Sequence, residues 1–193
     1  MFNQFKPNAD DIKEYQTSNY KKITLSEMYG RYFLKEKITK KYNPNYVLFT
    51  APVFEHWDVE LSTPEGRKYF EIKVRNQTYN SMILEVDKYN NLVKDNKLSY
   101  YVNITTDTNQ LLIWNLNKIN FNNIPIEQKY CPRTSYSDKN DYVLKGCYML
   151  PVKGLATKWT YNYSITEGIK EFEEELNNKK DNNTMNDTEQ DKI

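Results

Sequence analysis

The stretch from His56 to Arg75 constrains the fold most. Two runs there alternate apolar and polar residues with period two, and between them lies Ser62-Thr63-Pro64-Glu65-Gly66, a string of turn formers. In the first run Trp57, Val59 and Leu61 point one way while His56, Asp58 and Glu60 point the other. In the second, Phe70, Ile72 and Val74 make the apolar face, and Tyr69, Glu71, Lys73 and Arg75 the polar one. The pattern predicts two neighbouring strands of one sheet. Paired with their apolar faces together, they bring Asp58, Glu71 and Lys73 out on the same side.

Helical spacing brackets this hairpin. Thr24-Leu25-Ser26-Glu27 has the form of a capping box, and Leu25, Met28, Tyr29, Tyr32 and Phe33 then share one face, which predicts a helix from Leu25 to Lys41. Asn43-Pro44-Asn45 ends it, and Tyr46 to Thr50 reads as a short extended segment. After Asn80-Ser81, the residues Met82, Val86, Tyr89, Leu92 and Val93 recur at helical spacing and predict a second helix to about Lys94. Leu98 to Thr105 and Leu111 to Leu116 predict strands around the turn Thr106-Asp107-Thr108-Asn109. Residues 118–142, rich in Asn, Pro and Ser, read as loop, and Tyr142 to Pro151 as a return to the sheet. An acidic amphipathic helix follows from Ile165 to Leu176. The expected fold class is therefore α/β, an α+β mixed sheet with helices on both faces.

Length and composition bound the rest. A chain of 193 residues is long enough for one sizeable core and short for two. Mean hydropathy is low, −0.88, yet aromatics reach 15%, so Tyr and Trp must supply much of the buried apolar area. The organisation expected is one domain over residues 1–176, opening with a polar arm or short lead-in helix. A polar tail, 177–193, has too little apolar area to offset its ordering entropy and is expected to be disordered. No apolar run approaches the roughly 18 residues of a spanning helix, and the first residues lack the layout of a signal peptide, so the expectation is a cytoplasmic protein with no membrane role. Cys131 and Cys147 form no close pair and read as reduced, partly buried thiols. From Ile165 onward nine acidic and four basic residues give a net of −5, which leaves the rest near +6 because the whole chain carries +1. A basic body with an acidic tail is compatible with a polyanion partner without establishing one.

The chemistry lies in Asp58 and Glu71-Ile72-Lys73. Two carboxylates about 5 Å apart repel by roughly 3 kcal/mol at an effective dielectric near 20, so bringing them together calls for a cation. Mg²⁺ suits such a site because it prefers oxygen ligands and needs only one or two protein carboxylates. Lys73, two residues after Glu71 on the same face, would project beside an attacking water. The spacing alone is weak: Glu127-Gln128-Lys129 also satisfies it, but in a proline-containing stretch with no Asp-bearing strand before it. An exposed sheet face with a fortuitous salt bridge would satisfy it too.

From Thr24 to Leu116 the chain resembles the PD-(D/E)XK nuclease superfamily, the restriction-endonuclease-like fold with its αβββαβ core. The matching residues are Glu27 in the first helix, Asp58 in His56-Trp57-Asp58-Val59, and Glu71-Ile72-Lys73, with Trp57 replacing the motif's proline. The resemblance implies Mg²⁺, with Mn²⁺ substituting, held by Asp58, Glu71 and the backbone carbonyl of Ile72, with Lys73 as the catalytic lysine. It implies that Glu27 binds a metal water or a second ion, and it marks Tyr79, Glu85 and Lys88 as candidates for a further polar residue near the cleft. Arg75, Gln77 and His56 are further candidates for substrate contact. The function implied is a Mg²⁺-dependent deoxyribonuclease, an endonuclease acting on DNA, and duplex cleavage by one centre per chain favours a homodimer. Small size, no ATPase motif and an Asn- and Lys-rich composition suggest a bacterial or phage source. Two alternatives stay open: a catalytically inactive domain of this fold that binds nucleic acid or protein, and a structural or assembly protein whose contact surface is the aromatic-rich stretch from Tyr130 to Tyr163.

Overall fold

The computed structural model describes residues 25–41, 47–50, 55–133, 141–162 and 164–190. The N-terminal arm and Thr24 of the capping box lie outside them, as do the side chains of Leu25 and Tyr32. Within them, α1 (Leu25–Lys41) is followed by β1 (Val47–Thr50), β2 (Val59–Thr63), β3 (Gly66–Arg75), β4 (Ser81–Glu85) and α2 (Val86–Val93). Then come β5 (Leu98–Thr105), β6 (Gln110–Asn115), β7 (Ile126–Pro132), β8 (Tyr142–Pro151), β9 (Thr157–Thr160) and α3 (Ile165–Gln190).

Six strands form a mixed sheet in the order β1-β2-β3-β5-β6-β9. All neighbours are antiparallel except β3 and β5, where Glu71 lies beside Tyr101 and Lys73 beside Asn103. The parallel pair needs a crossover, and β4 with α2 supplies it. A second sheet, β4-β8-β7, is wholly antiparallel.

The large sheet has a core on each face. On one side Val59, Leu61, Phe70, Ile72, Val102 and Ile104 meet Met28, Tyr29, Phe33 and Leu34 of α1 and Ile165 and Phe172 of α3. On the other, Tyr101, Leu112 and Trp114 meet Met82, Leu84 and Leu150 of the second sheet and Leu92 of α2. The fold is thus mixed α/β with helices on both faces. Trp114, Tyr29, Tyr101, Phe33 and Phe172 are among the largest fully buried side chains, each contributing about 1.5–3 kcal/mol or more, so aromatics do carry the core of this hydrophilic chain.

Gly30 fixes how closely α1 lies on the sheet. A Cβ there would stand 2.9 Å from Val74 Cγ2 and 3.1 Å from Ile72 Cγ2, so a side chain would lift the helix off β3. That contact sets α1 directly over the strand that carries Glu71 and Lys73.

Several expectations need correction. The helix expected from Met82 begins only at Val86; Ser81–Glu85 is β4, with Met82 and Leu84 buried and their neighbours half-buried. Period-two alternation inside the helical spacing prevails there because β8 offers five ladder partners. Residues 118–142, expected as loop, contain β7 and the start of β8. β7 is an edge strand with Glu127, Gln128 and Tyr130 exposed, so its pairing is written in backbone hydrogen bonds and leaves little apolar pattern to read. β8 joins the second sheet, not the large one, and β9, which the sequence reading missed, closes the large sheet beside β6. The last helix runs to Gln190 and so through most of the tail expected to be disordered, but Asn177 and Asn178 are exposed, and α3 buries its apolar face at Ile165 and Phe172.

Among the described residues no helix is long and apolar enough to cross a membrane.

Candidate metal centre

The β2–β3 ladder starts at Val59↔Phe70; just before it the Asp58 N–H donates to the Phe70 carbonyl at 2.8 Å, and Asp58 lies close enough to Glu71 for their charges to interact. The regular strand begins only at Val59, because 55–58 is a bent segment. Trp57 therefore does not share the face of Val59 and Leu61: it packs on the opposite core, edge-on to Tyr69 at 4.7 Å, with Lys97 Nζ 4.3 Å from its ring centre. The bend takes the strand off its alternation and turns Asp58 inward.

Both carboxylates are buried, Asp58 at 5% exposure and Glu71 at 1%, so this is no exposed sheet face. Asp58 Oδ1 accepts from Arg31 Nη2 at 2.7 Å, and Oδ2 accepts from the Ile72 N–H at 2.7 Å. Glu71 lies between two ammonium groups, Lys73 Nζ 3.0 Å from Oε1 and Lys88 Nζ 3.0 Å from Oε2. Both are close ion pairs, so each buried oxygen of Glu71 faces an ammonium. Glu27, four residues before Arg31 on α1, approaches its Nη2 at 3.8 Å.

Burial alone would raise the pKa of Asp58, but Lys73, Arg31, the Ile72 N–H and Lys88 outweigh it and hold the carboxyl below its usual range. At Glu71 burial prevails, reinforced by the charge of Asp58, and carries the group up to about 7 against the pull of Lys73 and Lys88. Burial acts to lower Lys73, yet Glu71, Asp58, Glu27 and Tyr101 drive it well above the usual lysine range, so it is an ammonium at neutral pH. Two adjacent carboxyls with pKa values pushed apart are a recognised mark of functional sites.

The donor set fits a hard divalent cation. Glu71 offers two buried oxygens, each met by the ammonium of a flexible lysine side chain that an arriving cation would displace. Asp58 Oδ1 and Oδ2 each keep a second lone pair after their single hydrogen bond. Among the described residues no three His, Cys, Asp or Glu side chains converge, so any such ion would take two carboxylates and complete its shell with backbone oxygen and water.

The remaining candidates are dispersed. Lys88 of α2 reaches the centre through Glu71. Arg75 points to the same face of β3, but Nε donates to Asn103 Oδ1 at 2.6 Å and Nη2 donates to the Ile83 carbonyl and Tyr101 Oη, tying the large sheet to the second. Tyr79 Oη donates to Gln77 Oε1 at 2.9 Å on the exposed segment after β3. His56 is exposed on the bend before Asp58. Glu85 pairs with Lys145 at 2.8 Å on the second sheet, away from Glu71. Glu127-Gln128-Lys129 lies on β7, a strand and not the expected loop, with Glu127 half exposed and paired to its own Lys129 at 2.6 Å. The aromatic stretch divides: Trp159 and Tyr161 pack on the core beneath α1 and α3, while Tyr130 and Tyr142 are exposed. Cys131 and Cys147 are free and buried, and burial pushes the Cys147 thiol up to about 12.

Sequence reasoning missed Arg31. The signal available was its place four residues after Glu27 on the buried side of α1, where an arginine needs a partner.

No sequence-family profile and no curated protein matches the chain. Among solved structures it is similar to that of Hjc, a Holliday junction resolvase from the archaeal hyperthermophile Archaeoglobus fulgidus. The identity is 12% and the TM-score 0.38, over 73% of this chain and 95% of that one. A likeness of that size carries no argument about chemistry, which rests on the residues themselves.

Proposed function

We propose that the protein is a Mg²⁺-dependent deoxyribonuclease that cuts DNA phosphodiester bonds internally, with Asp58, Glu71 and Lys73 as its centre. The observation that carries this reading is Glu71: a carboxylate at 1% exposure, close enough to the buried Asp58 for the two charges to interact, and met at both oxygens by lysines that can turn away. Asp58, Glu71 and the Ile72 carbonyl would hold the ion, Mn²⁺ serving as well as Mg²⁺. When bound, the ion supplies charge stabilisation at the phosphate and a more acidic water.

The chain's own residues do the rest. Arg31 and the Ile72 N–H hold Asp58 in one orientation and keep it ionised. Lys73, protonated and 38% exposed, can leave Glu71 Oε1 to orient a water or offset charge on the phosphoryl oxygens. Lys88, 30% exposed on a different element, can turn from Glu71 Oε2 toward a neighbouring phosphate. Gln77, Tyr79 and His56 are exposed and in this reading would touch the DNA backbone or bases. Arg75 serves the site by fixing β3 against the second sheet. In this reading residues 1–176 form the nuclease domain, 177–193 are dispensable, the protein works in the cytoplasm of a bacterium or a phage-infected cell, and two copies make the paired cuts of a duplex.

A second reading, a non-cleaving module that binds nucleic acid, draws on the three cations, Arg31, Lys73 and Lys88, that already balance Asp58, Glu71 and Glu27. Incubation with supercoiled, linear and branched DNA in Mg²⁺, Mn²⁺ or EDTA separates the two. We expect metal-dependent cutting that falls by about 10²–10⁴-fold in Lys73→Ala. Binding of DNA without cutting in any metal would establish the second reading.

A further inference from the structure

The three cations at this centre are not equivalent. Lys73 and Lys88 have side chains 38% and 30% exposed and end in flexible stems, so both can give up Glu71 when an ion arrives. Arg31 is 8% exposed, cannot lose its proton, and follows Gly30, where α1 lies tight on β3. Its Nη2 stands 2.7 Å from Asp58 Oδ1 and 3.8 Å from Glu27 Oε1.

We infer that Arg31 is a built-in cation filling the space between Glu27 and Asp58, so that the centre takes one divalent ion, on the Glu71 side, and no second. The inference rests on the metal reading above and decides what that reading leaves open, namely what Glu27 does. An ion bridging Glu27 and Asp58 would have to share Asp58 Oδ1 with a guanidinium that can neither neutralise itself nor swing into solvent. On the Glu71 side the competing charges are lysines whose exposed stems let them turn away. Glu27 is thereby the partner of Arg31, not a ligand, and Arg31 is a positioning residue: it orients Asp58 and sets the ion count, touching neither ion nor substrate.

The test is ion stoichiometry, read without any activity assay. The full chain is titrated calorimetrically with Mn²⁺, and the loaded protein is examined by electron paramagnetic resonance for exchange-coupled Mn²⁺ pairs. The natural chain is expected to bind one ion with an uncoupled spectrum, and Glu27→Gln to keep that single ion. Arg31→Met is expected to gain a second ion and a coupled spectrum, whereas Arg31→Lys, which keeps the charge, stays at one. Two coupled ions in the natural chain, or one ion in a folded Arg31→Met, overturns the inference while leaving the metal reading intact. No ion bound by the natural chain overturns the metal reading itself and the inference with it. Should Arg31→Met lose its fold, the natural chain's stoichiometry still decides.

Discussion

The chain contains two Glu-x-Lys strands, and the contrast between them shows what makes a sequence pattern into a site. Glu71-Ile72-Lys73 and Glu127-Gln128-Lys129 both place a glutamate and a lysine on one strand face, and in both the pair is in contact, at 3.0 Å and 2.6 Å. β3 is flanked by β2 and β5 and roofed by the second sheet and α2, so Glu71 is buried, within reach of the charge of Asp58. β7 is a sheet edge, and Glu127 stands half in water with Cys147 as its register partner. Water screens the second pair and fixes its worth near the usual surface value, about 0–1 kcal/mol. At the first, burial and a neighbouring carboxyl turn the same residue types into a high-energy arrangement that charge from outside can relieve.

The largest test of that contrast is on stability. Asp58→Ala takes from the buried Arg31 guanidinium its 2.7 Å partner and leaves Glu27 at 3.8 Å, and is expected to cost up to about 3–5 kcal/mol in chemical denaturation, with the protein still folding at ordinary temperature. Glu127→Ala is expected to change stability by less than about 1 kcal/mol. Equal effects at the two positions would mean that burial does not separate them.

The pH dependence sharpens the comparison with a smaller effect. Glu71 has its folded-state pKa raised from 4.5 to about 7, so the folded chain holds a proton that the unfolded chain releases. Its contribution to stability is complete below about 4.5 and is lost as pH rises through about 7. Asp58, lowered, acts with the opposite sign, its contribution present above 3.8 and lost on acidification. Metal-free protein should therefore lose stability between roughly pH 4.5 and 7 relative to Glu71→Gln, measured by denaturant midpoints across that range. No such difference is expected for Glu127→Gln. A Glu71→Gln profile parallel to the natural one would contradict the burial argument.

The legible parts of this fold are those whose apolar pattern matches one element alone. α1, β3, β5 and β6 stand within a residue or two of their expected limits, whereas β2 starts three residues after the expected His56 because 55–58 is bent. That Glu71 and Lys73 share a face was legible for the same reason, since period two on β3 puts Phe70 and Ile72 in one core; Asp58 comes beside them from the bend before β2, which the alternation did not foretell. β4 was hidden because Met82-Ile83-Leu84 fits both periods, and only the presence of β8 decides between them. β7 was hidden because an edge strand exposed on its outer positions carries little apolar signal. Arg31 and Arg75 show a different limit. Their partners, Asp58 for one and Asn103, Tyr101 and the Ile83 carbonyl for the other, lie far away in sequence, so their roles are set by tertiary packing alone.

The central claim is that cutting chemistry belongs to the buried pattern and not to the exposed one. The most direct measurement is the rate at which supercoiled DNA is nicked in Mg²⁺ by the natural chain, by Glu71→Gln and by Glu127→Gln, each checked for folding. The account predicts that Glu71→Gln abolishes cutting and Glu127→Gln keeps the natural rate; cutting that survives Glu71→Gln would contradict it.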